Sequence, residues 1–294
     1  MIINDPIHGK VEFTNSIEKV IKTQPMQRLK NIHQGGAMFL AYPDIKTSRF
    51  EHSLGVCYLI KILGGDKREQ IAGLLHDLPH TAFSHVVDYV LENDCEDFHE
   101  KHKLHFLLDQ ELSATLLGIG FEPKDFQKDE SFHILEAEHP ALCADRIDYT
   151  LRDLLAWGKI SQKEAQLFIN SLVFVESEIA VKSAFWGQWF KDNYDYLNQH
   201  IFRDDKNVTA NTMFSQLLKK ALSMKAIAIE DFFQDDNFII NRINNYPVLQ
   251  EDLKHIKTQL ESNKNRPNNV KFKARFVNPL IAERDRVMRL SECI

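Results

Sequence analysis

Three histidines and two aspartates, His76, Asp77, His80, His85 and Asp88, stand within thirteen residues of the stretch GLLHDLPHTAFSHVVD (73–88). Their neighbours are largely apolar, and burying an ionisable group is costly unless it is paired or bound to a metal. The cluster therefore requires a compensating partner. Seven of the 13 histidines fall between His52 and His105, far more than an even scatter would place there. Imidazoles mixed with carboxylates suit a divalent ion such as Mn, Fe, Ni, Co, Zn or Mg. His52, the His76-Asp77 pair and Asp145 of ADRIDY are distant in sequence, so separate helices must bring them together. A lone His on an apolar face is more often a satisfied core residue, and it is the whole arrangement that argues against that reading.

The elements that would position these residues are mostly helical. After the turn-like DPIHG (5–9), the short VEF (11–13) reads as a strand, then SIEKVIKT and PMQRLKNI read as helices, Pro25 suiting a first turn. SLGVCYLIKIL has helical periodicity from Ser53 and stops at Gly64-Gly65. Asp66 and Glu69 mark the start of the next helix, KREQIAGLLHD, which Pro79 confines to the residues up to about Asp77. A helix over 82–92 would put His85 and Asp88 on one face. HPALCADRIDYTLRDLLAWG reads as an amphipathic helix ending near Gly158. Beyond residue 170 the pattern changes: VFVESEIAVKS reads as a hairpin, NVTANTMFSQLLKKALSM as a helix and NVKFKARFV as a strand, with ESNKNRPNN as loop. The expected fold is mainly α, a helical bundle over 1–170 with a smaller α+β C-terminal part, 171–294, packed on it.

In order along the chain, DPIHG, QRLKNIHQGG, SRFEHSLGV, IAGLLHDLPHTAFSH, FHE and ADRIDYTLRD resemble the HD-domain phosphohydrolases, and within them the deoxynucleoside triphosphate triphosphohydrolase branch. The resemblance covers the first 160 residues and loosens beyond residue 170. It implies metal ligands at His52, His76, Asp77 and Asp145. It implies that His80, His85 and His99 line the phosphate path, with Asp88 orienting His85 and raising its basicity, and that these rings handle the proton in phosphate-ester cleavage. Arg49 and Arg146 are the implied triphosphate contacts, guanidinium being able to donate to two oxygens at once. Tyr149 would pack under the sugar and exclude a 2′-hydroxyl, Asp153 would bind the 3′-hydroxyl, and Gln34 is the other sugar-binding position. The chain departs from the family pattern at two places, reading HQGG where the family has QLGG and HDLPH where it has HDLGH. His102 and His105 read as a solvated helix face.

Net charge is −6 with pI about 6.1, so no global basic field argues for nucleic acid or an anionic membrane. Lys254 to Phe276 holds seven Lys/Arg and one Glu, a regulatory candidate for an allosteric nucleotide, although no aromatic ladder strengthens a nucleic-acid reading. Cys57, Cys95, Cys143 and Cys293 form no CxxC pair and read as reduced thiols. MIINDPIHGK does not resemble a signal peptide, and no apolar run is long enough to span a membrane. The expectation is a soluble cytoplasmic homo-oligomer. Three functions stay open: a dNTP triphosphohydrolase, an HD-type nucleotidase or phosphodiesterase acting on another nucleotide, and a nucleotide-binding regulator on the same scaffold.

Overall fold

The structure is a computed structural model and describes residues 1–93, 95, 97–262, 275–284 and 286–293. Helices dominate it. The first that matters to the site, α1 (Arg49–Ile62), opens with a capping box: the Ser48 hydroxyl accepts from the Glu51 backbone N–H, and the Glu51 carboxylate accepts from Ser48 N. That box starts the helix four residues earlier than the apolar periodicity from Ser53 indicates, and it makes Arg49 and His52 first-turn residues. α2 (Lys67–Leu75) is capped by Asp66, whose carboxylate accepts from Glu69 N, and it ends at His76. α1 and α2 pack closely because Gly73 has no Cβ: one added there would collide with Ile60 Cδ1.

The expected helix over 82–92 is shorter. α3 (Val86–Leu91) begins after a turn in which Phe83 and Ser84 both adopt positive φ, 59° and 54°. Left-handed residues cannot continue a right-handed helix, and each costs roughly 1–2 kcal/mol for an L-residue. His85 is consequently the N-cap residue rather than an interior one. α4 (Ala144–Ala156) also starts late, because Leu142 is extended and bridges Ile179.

Six short strands complete the described residues. β1 (Ile2–Asp5) pairs antiparallel with β2 (Gly9–Glu12), placing the DPIHG turn at their junction. β3 (Leu172–Val175) and β4 (Glu178–Val181) form the hairpin read from the sequence, turning at Glu176 and Ser177, both with positive φ. β5 (Leu280–Glu283) runs parallel to β4 and antiparallel to β6 (Arg286–Arg289), giving the order β3-β4-β5-β6. The strand expected at NVKFKARFV falls largely outside the described residues, as do the ESNKNRPNN loop and most of the basic stretch. Residues 275–277 are not in a strand.

Two apolar cores hold the elements. The first includes Leu54, Leu74, Ile147, Leu151, Phe190 from α5 (Ala184–Tyr196) and Ile281, and so draws on residues from both sides of position 170. The second packs Val86 and Val87 of α3 against Phe214 and Leu218 of α6 (Asp205–Ser223). It also takes in Ile239 of α7 (Asp236–Asn244) and Ile256 of α8 (Pro247–Glu261). No helix among the described residues is long and apolar enough to cross a membrane.

Candidate metal centre and cleft

Three helix ends converge at one point. His52 from the first turn of α1, His76 from the end of α2 and Asp145 from the first turn of α4 bring a ligand atom each to within 4.8 Å of one another. His52 Nε2 lies 2.9 Å from Asp145 Oδ1 and 3.2 Å from His76 Nε2. Asp77 faces the same point, its carboxylate 3.5 Å from His76 Nε2 and 3.7 Å from His52 Nε2. It also accepts from Arg49 Nη1 at 2.8 Å and lies 3.2 Å from His80 Nε2.

The donor set fits a divalent ion. His76 Nδ1 is 2.8 Å from the Gly73 carbonyl, and His52 Nδ1 is 2.8 Å from Asp148 Oδ2. Each acceptor holds the ring proton on Nδ1, which leaves both Nε2 lone pairs aimed inward, the arrangement metal-ligating imidazoles use. Burial opposes charge on His52, yet its hydrogen bonds to Asp145 and Asp148 and the nearby Asp77 lift its pKa to about 10. Without an ion, that pKa places a second proton on His52 Nε2, toward Asp145, and a bound cation would displace it. The cluster carries a negative surplus that calls for a cation, and the residues are positioned to coordinate one.

Behind the ligands stands a network that sequence reasoning missed. Asp148 is fully buried and is gripped by Arg152, whose Nε and Nη2 both donate to it at 2.9 Å. Arg152 Nη2 also donates to Asp5 Oδ2 at 3.1 Å, and His8 Nε2 lies 3.6 Å from Asp148 Oδ1. Gly55 makes room for Asp148 on α1, since a Cβ there would overlap its carboxylate. The signal was present in the sequence: DPIHG and the second Asp of ADRIDY both carry it. Asp145 and Asp148 sit three residues apart on α4, and the structure turns the first toward the His52–His76 ligand cluster, as the resemblance implies, and the second toward the buried arginine.

A second group lies beside the first. His80, His85 and His99 present ligand atoms within 4.8 Å of one another, His80 and His99 being stacked at 3.9 Å between centroids. Asp88 Oδ2 is 3.4 Å from His85 Nδ1, and the same carboxylate accepts from Asn93 Nδ2 at 2.7 Å. Burial depresses His99 to about 3 and holds His80 well below the ordinary histidine range, so both rings are neutral at pH 7. A third group, Glu136, Cys143 and Asp145, shares the Asp145 carboxylate. Burial and the Asp145 charge raise Glu136 to about 7. His102 and His105 are not part of the cleft. His105 is exposed and His102 half-buried, as a solvated helix face requires, and both rings lie against Phe233.

These groups open on a cleft of about 1340 Å³, which Gln34, Arg49, Arg146, Tyr149 and Asp153 also line. Arg49 is buried and already engaged with Asp77 and with Ser84 Oγ, to which its Nε donates at 2.9 Å. Arg146 donates to the carbonyls of Ala141, at 2.6 Å, and Ala137, so it braces the loop before α4. Tyr149 and Asp153 follow Asp145 on one face of α4. The Tyr149 hydroxyl is 3.2 Å from that of Tyr194. Gln34 Oε1 is buried without a hydrogen-bond partner.

Burial is the main reason that the Asp153 carboxyl is raised to about 7. A raised acid favours folding while protonated, so its contribution is complete below pH 4 and is lost as pH rises to about 7. At about 1.4 kcal/mol per unit of displacement the loss has an upper bound of about 4 kcal/mol. In chelator-treated protein, Asp153→Asn is therefore expected to gain stability over the parent progressively between pH 4 and 7, then to level off. Urea unfolding at several pH values checks this; a constant difference across that range would contradict it.

The HD-domain family pattern matches residues 49–153, the span that carries the whole first cluster. YdhJ, an uncharacterized protein of Bacillus subtilis, is 41% identical over 242 residues, a match covering 82% of this chain and 74% of YdhJ. The chain belongs to the HD-domain phosphohydrolase superfamily. A shorter match, 35% identical over 174 residues, links this HD protein to the metal-dependent phosphohydrolase cns2 of Cordyceps militaris, covering 58% of the chain and 50% of cns2. Human deoxynucleoside triphosphate triphosphohydrolase SAMHD1 is 42% identical over 102 residues, 30% of the chain and 16% of SAMHD1. The HD centre thus has the metal-binding architecture of a metal-dependent phosphohydrolase.

Proposed function

We propose that this HD protein hydrolyses deoxynucleoside triphosphates to deoxynucleoside and triphosphate. The observation that carries the reading is a single cleft in which the His52–His76–Asp77–Asp145 cluster, three imidazoles and the Tyr149–Asp153 face of α4 all meet. Its volume exceeds the roughly 300–1,000 Å³ of ordinary ligand sites, so a whole nucleotide fits. A divalent ion held by His52, His76, Asp77 and Asp145 would supply Lewis acidity toward a phosphate oxygen and acidify water. His80 and His99, neutral at pH 7, would donate hydrogen bonds along the phosphates. His85, with its side chain 40% exposed and backed by Asp88, would pass a proton to the departing 5′ oxygen. Arg49 sets the position of Asp77 while facing the same cleft. Tyr149 would close the space beneath the sugar against a 2′-hydroxyl, and Asp153 with Gln34 would bind its remaining oxygens.

A second reading, a nucleotidase acting on a monophosphate, is favoured by one feature. Among the described residues the cleft is lined by nine Asp/Glu against five Lys/Arg, a poor match for a bare tetra-anion unless divalent ions accompany it. Chromatographic product analysis with Mn²⁺ and dATP, ATP or dAMP separates the two. Intact triphosphate from dATP alone supports the first, and free phosphate from dAMP moves the activity to the second. Tyr149→Ala is expected to relax deoxy-over-ribo selectivity about tenfold, the scale of one close contact; unchanged selectivity would remove Tyr149 from the sugar site.

A further inference from the structure

The HD-matched span does not hold its own imidazole turn in place alone. Of the two left-handed residues just before His85, Phe83 is tied down from α7, well outside residues 49–153, while Ser84 is bonded to Thr81, Arg49 and His33. Asp236, 3% exposed, accepts from the Phe83 backbone N–H at 2.6 Å through Oδ1. Its Oδ2 accepts from the His33 backbone N–H at 3.0 Å and lies 2.7 Å from His33 Nδ1. One buried carboxylate therefore joins two segments distant in sequence, the loop whose next residue is Gln34 and the turn that delivers His85, alongside the direct Ser84–His33 hydrogen bond. The preceding residues assist, Phe232 O accepting from Ala82 N at 2.9 Å and Asp235 Oδ2 from Asn31 Nδ2 at 2.9 Å. The tie reaches the metal cluster as well. Ser84 Oγ donates to the His33 carbonyl at 2.7 Å and accepts from Arg49 Nε, and Arg49 in turn holds Asp77.

We propose that Asp236 is a positioning residue for the phosphate-facing side of the site, fixing His85 and Gln34 relative to each other through Phe83 and His33. A strained turn keeps its conformation only when its surroundings over-determine it. Asp236 supplies the buried acceptor that the Phe83 N–H lacks inside its own turn. An amide there would turn one NH₂ toward a ring or backbone donor, and the turn would lose its anchor while His52 and Asp145 stay on α1 and α4 and His76 and Asp77 at the end of α2.

The test uses the full chain with histidine labelled at Cε1, the His85 signal being assigned through His85→Gln. In Asp236→Asn the His85 resonance is expected to shift and broaden and its titration midpoint to move, while Mn²⁺ affinity stays within twofold. With dATP, kcat is expected to fall at least tenfold and KM to rise several-fold. His33→Ala, which removes one contact to the same carboxylate, should move the His85 signal the same way by less, and it decides the matter if the Asn variant does not fold. An unmoved His85 signal and titration in the folded variant overturn the proposal. The kinetic arm rests on the dNTP reading, and the NMR arm does not: absence of dATP turnover in the parent protein would refute that reading and leave the His85 comparison decisive.

Discussion

Asp77→Ala protein is expected to bind no Mn²⁺ at concentrations that saturate the parent and to lose phosphohydrolase turnover by at least about a thousandfold. Among the described residues, Asp77 is the carboxylate that touches both halves of the site. Its oxygens face His52 and His76 on one side and lie 3.2 Å from His80 Nε2 on the other. It also neutralises Arg49, a buried guanidinium. Removing one partner of such a pair costs about 3–5 kcal/mol because the other charge is left uncompensated, so loss of activity in the Ala variant alone could reflect loss of fold. Asp77→Asn separates the two causes. It keeps the shape and one acceptor for Arg49 but weakens an anionic ligand, so metal content by mass spectrometry should fall with activity while the melting curve stays cooperative. Stoichiometric metal with retained turnover in the Asn variant would remove Asp77 from the ligand set.

How far the sequence reveals this site depends on whether a residue acts through local spacing or through distant packing. The HD pair, the later histidines and Asp145 stand out because several titratable groups in apolar surroundings need a shared explanation. The capping signals of α2 and the β3–β4 turn are equally local, and the structure places both where the pattern puts them. The start of α1 could have been read too: Ser48 and Glu51 form the box, but the apolar run beginning at Ser53 is the louder signal. The turn at Phe83 and Ser84 could not. Neither is glycine, and the Phe83 N–H is accepted by Asp236, some 150 residues onward, a partner that no local spacing reveals. Arg146 illustrates a different limit. An arginine next to a metal ligand reads as a phosphate contact, and Arg146 does line the cleft, but its guanidinium also donates to the Ala137 and Ala141 carbonyls. Side-chain partners of that kind depend on a loop path that no periodicity encodes.

The other large effect is expected away from the cleft. Asp148→Asn should weaken Mn²⁺ binding by about 10–100-fold, the range measured when a carboxylate behind a ligating imidazole is removed, and should lower stability by several kcal/mol. Both effects have the same origin. The Asp148 carboxylate, stabilised as an anion chiefly by Arg152 against a burial penalty, fixes the proton on His52 Nδ1 and so keeps Nε2 aimed inward. An amide offers one oxygen to two sets of donors, His52 and Arg152, and turns its own NH₂ toward one of them. Either His52 loses its orienting acceptor or the guanidinium loses most of its charge partner. Asp5→Asn is the control that separates orientation from folding. Asp5 accepts from the same Arg152 at 3.1 Å, and its other oxygen accepts from Ile7 N and His8 N at 2.8 and 2.9 Å, so its loss costs stability without touching His52. Calorimetric Mn²⁺ titration of the two variants should thus diverge: weakened binding for Asp148→Asn, and affinity within about twofold of the parent for Asp5→Asn. Equal losses of affinity would mean that the network acts on the metal only by holding the fold together, and that His52 is oriented by its helix rather than by Asp148.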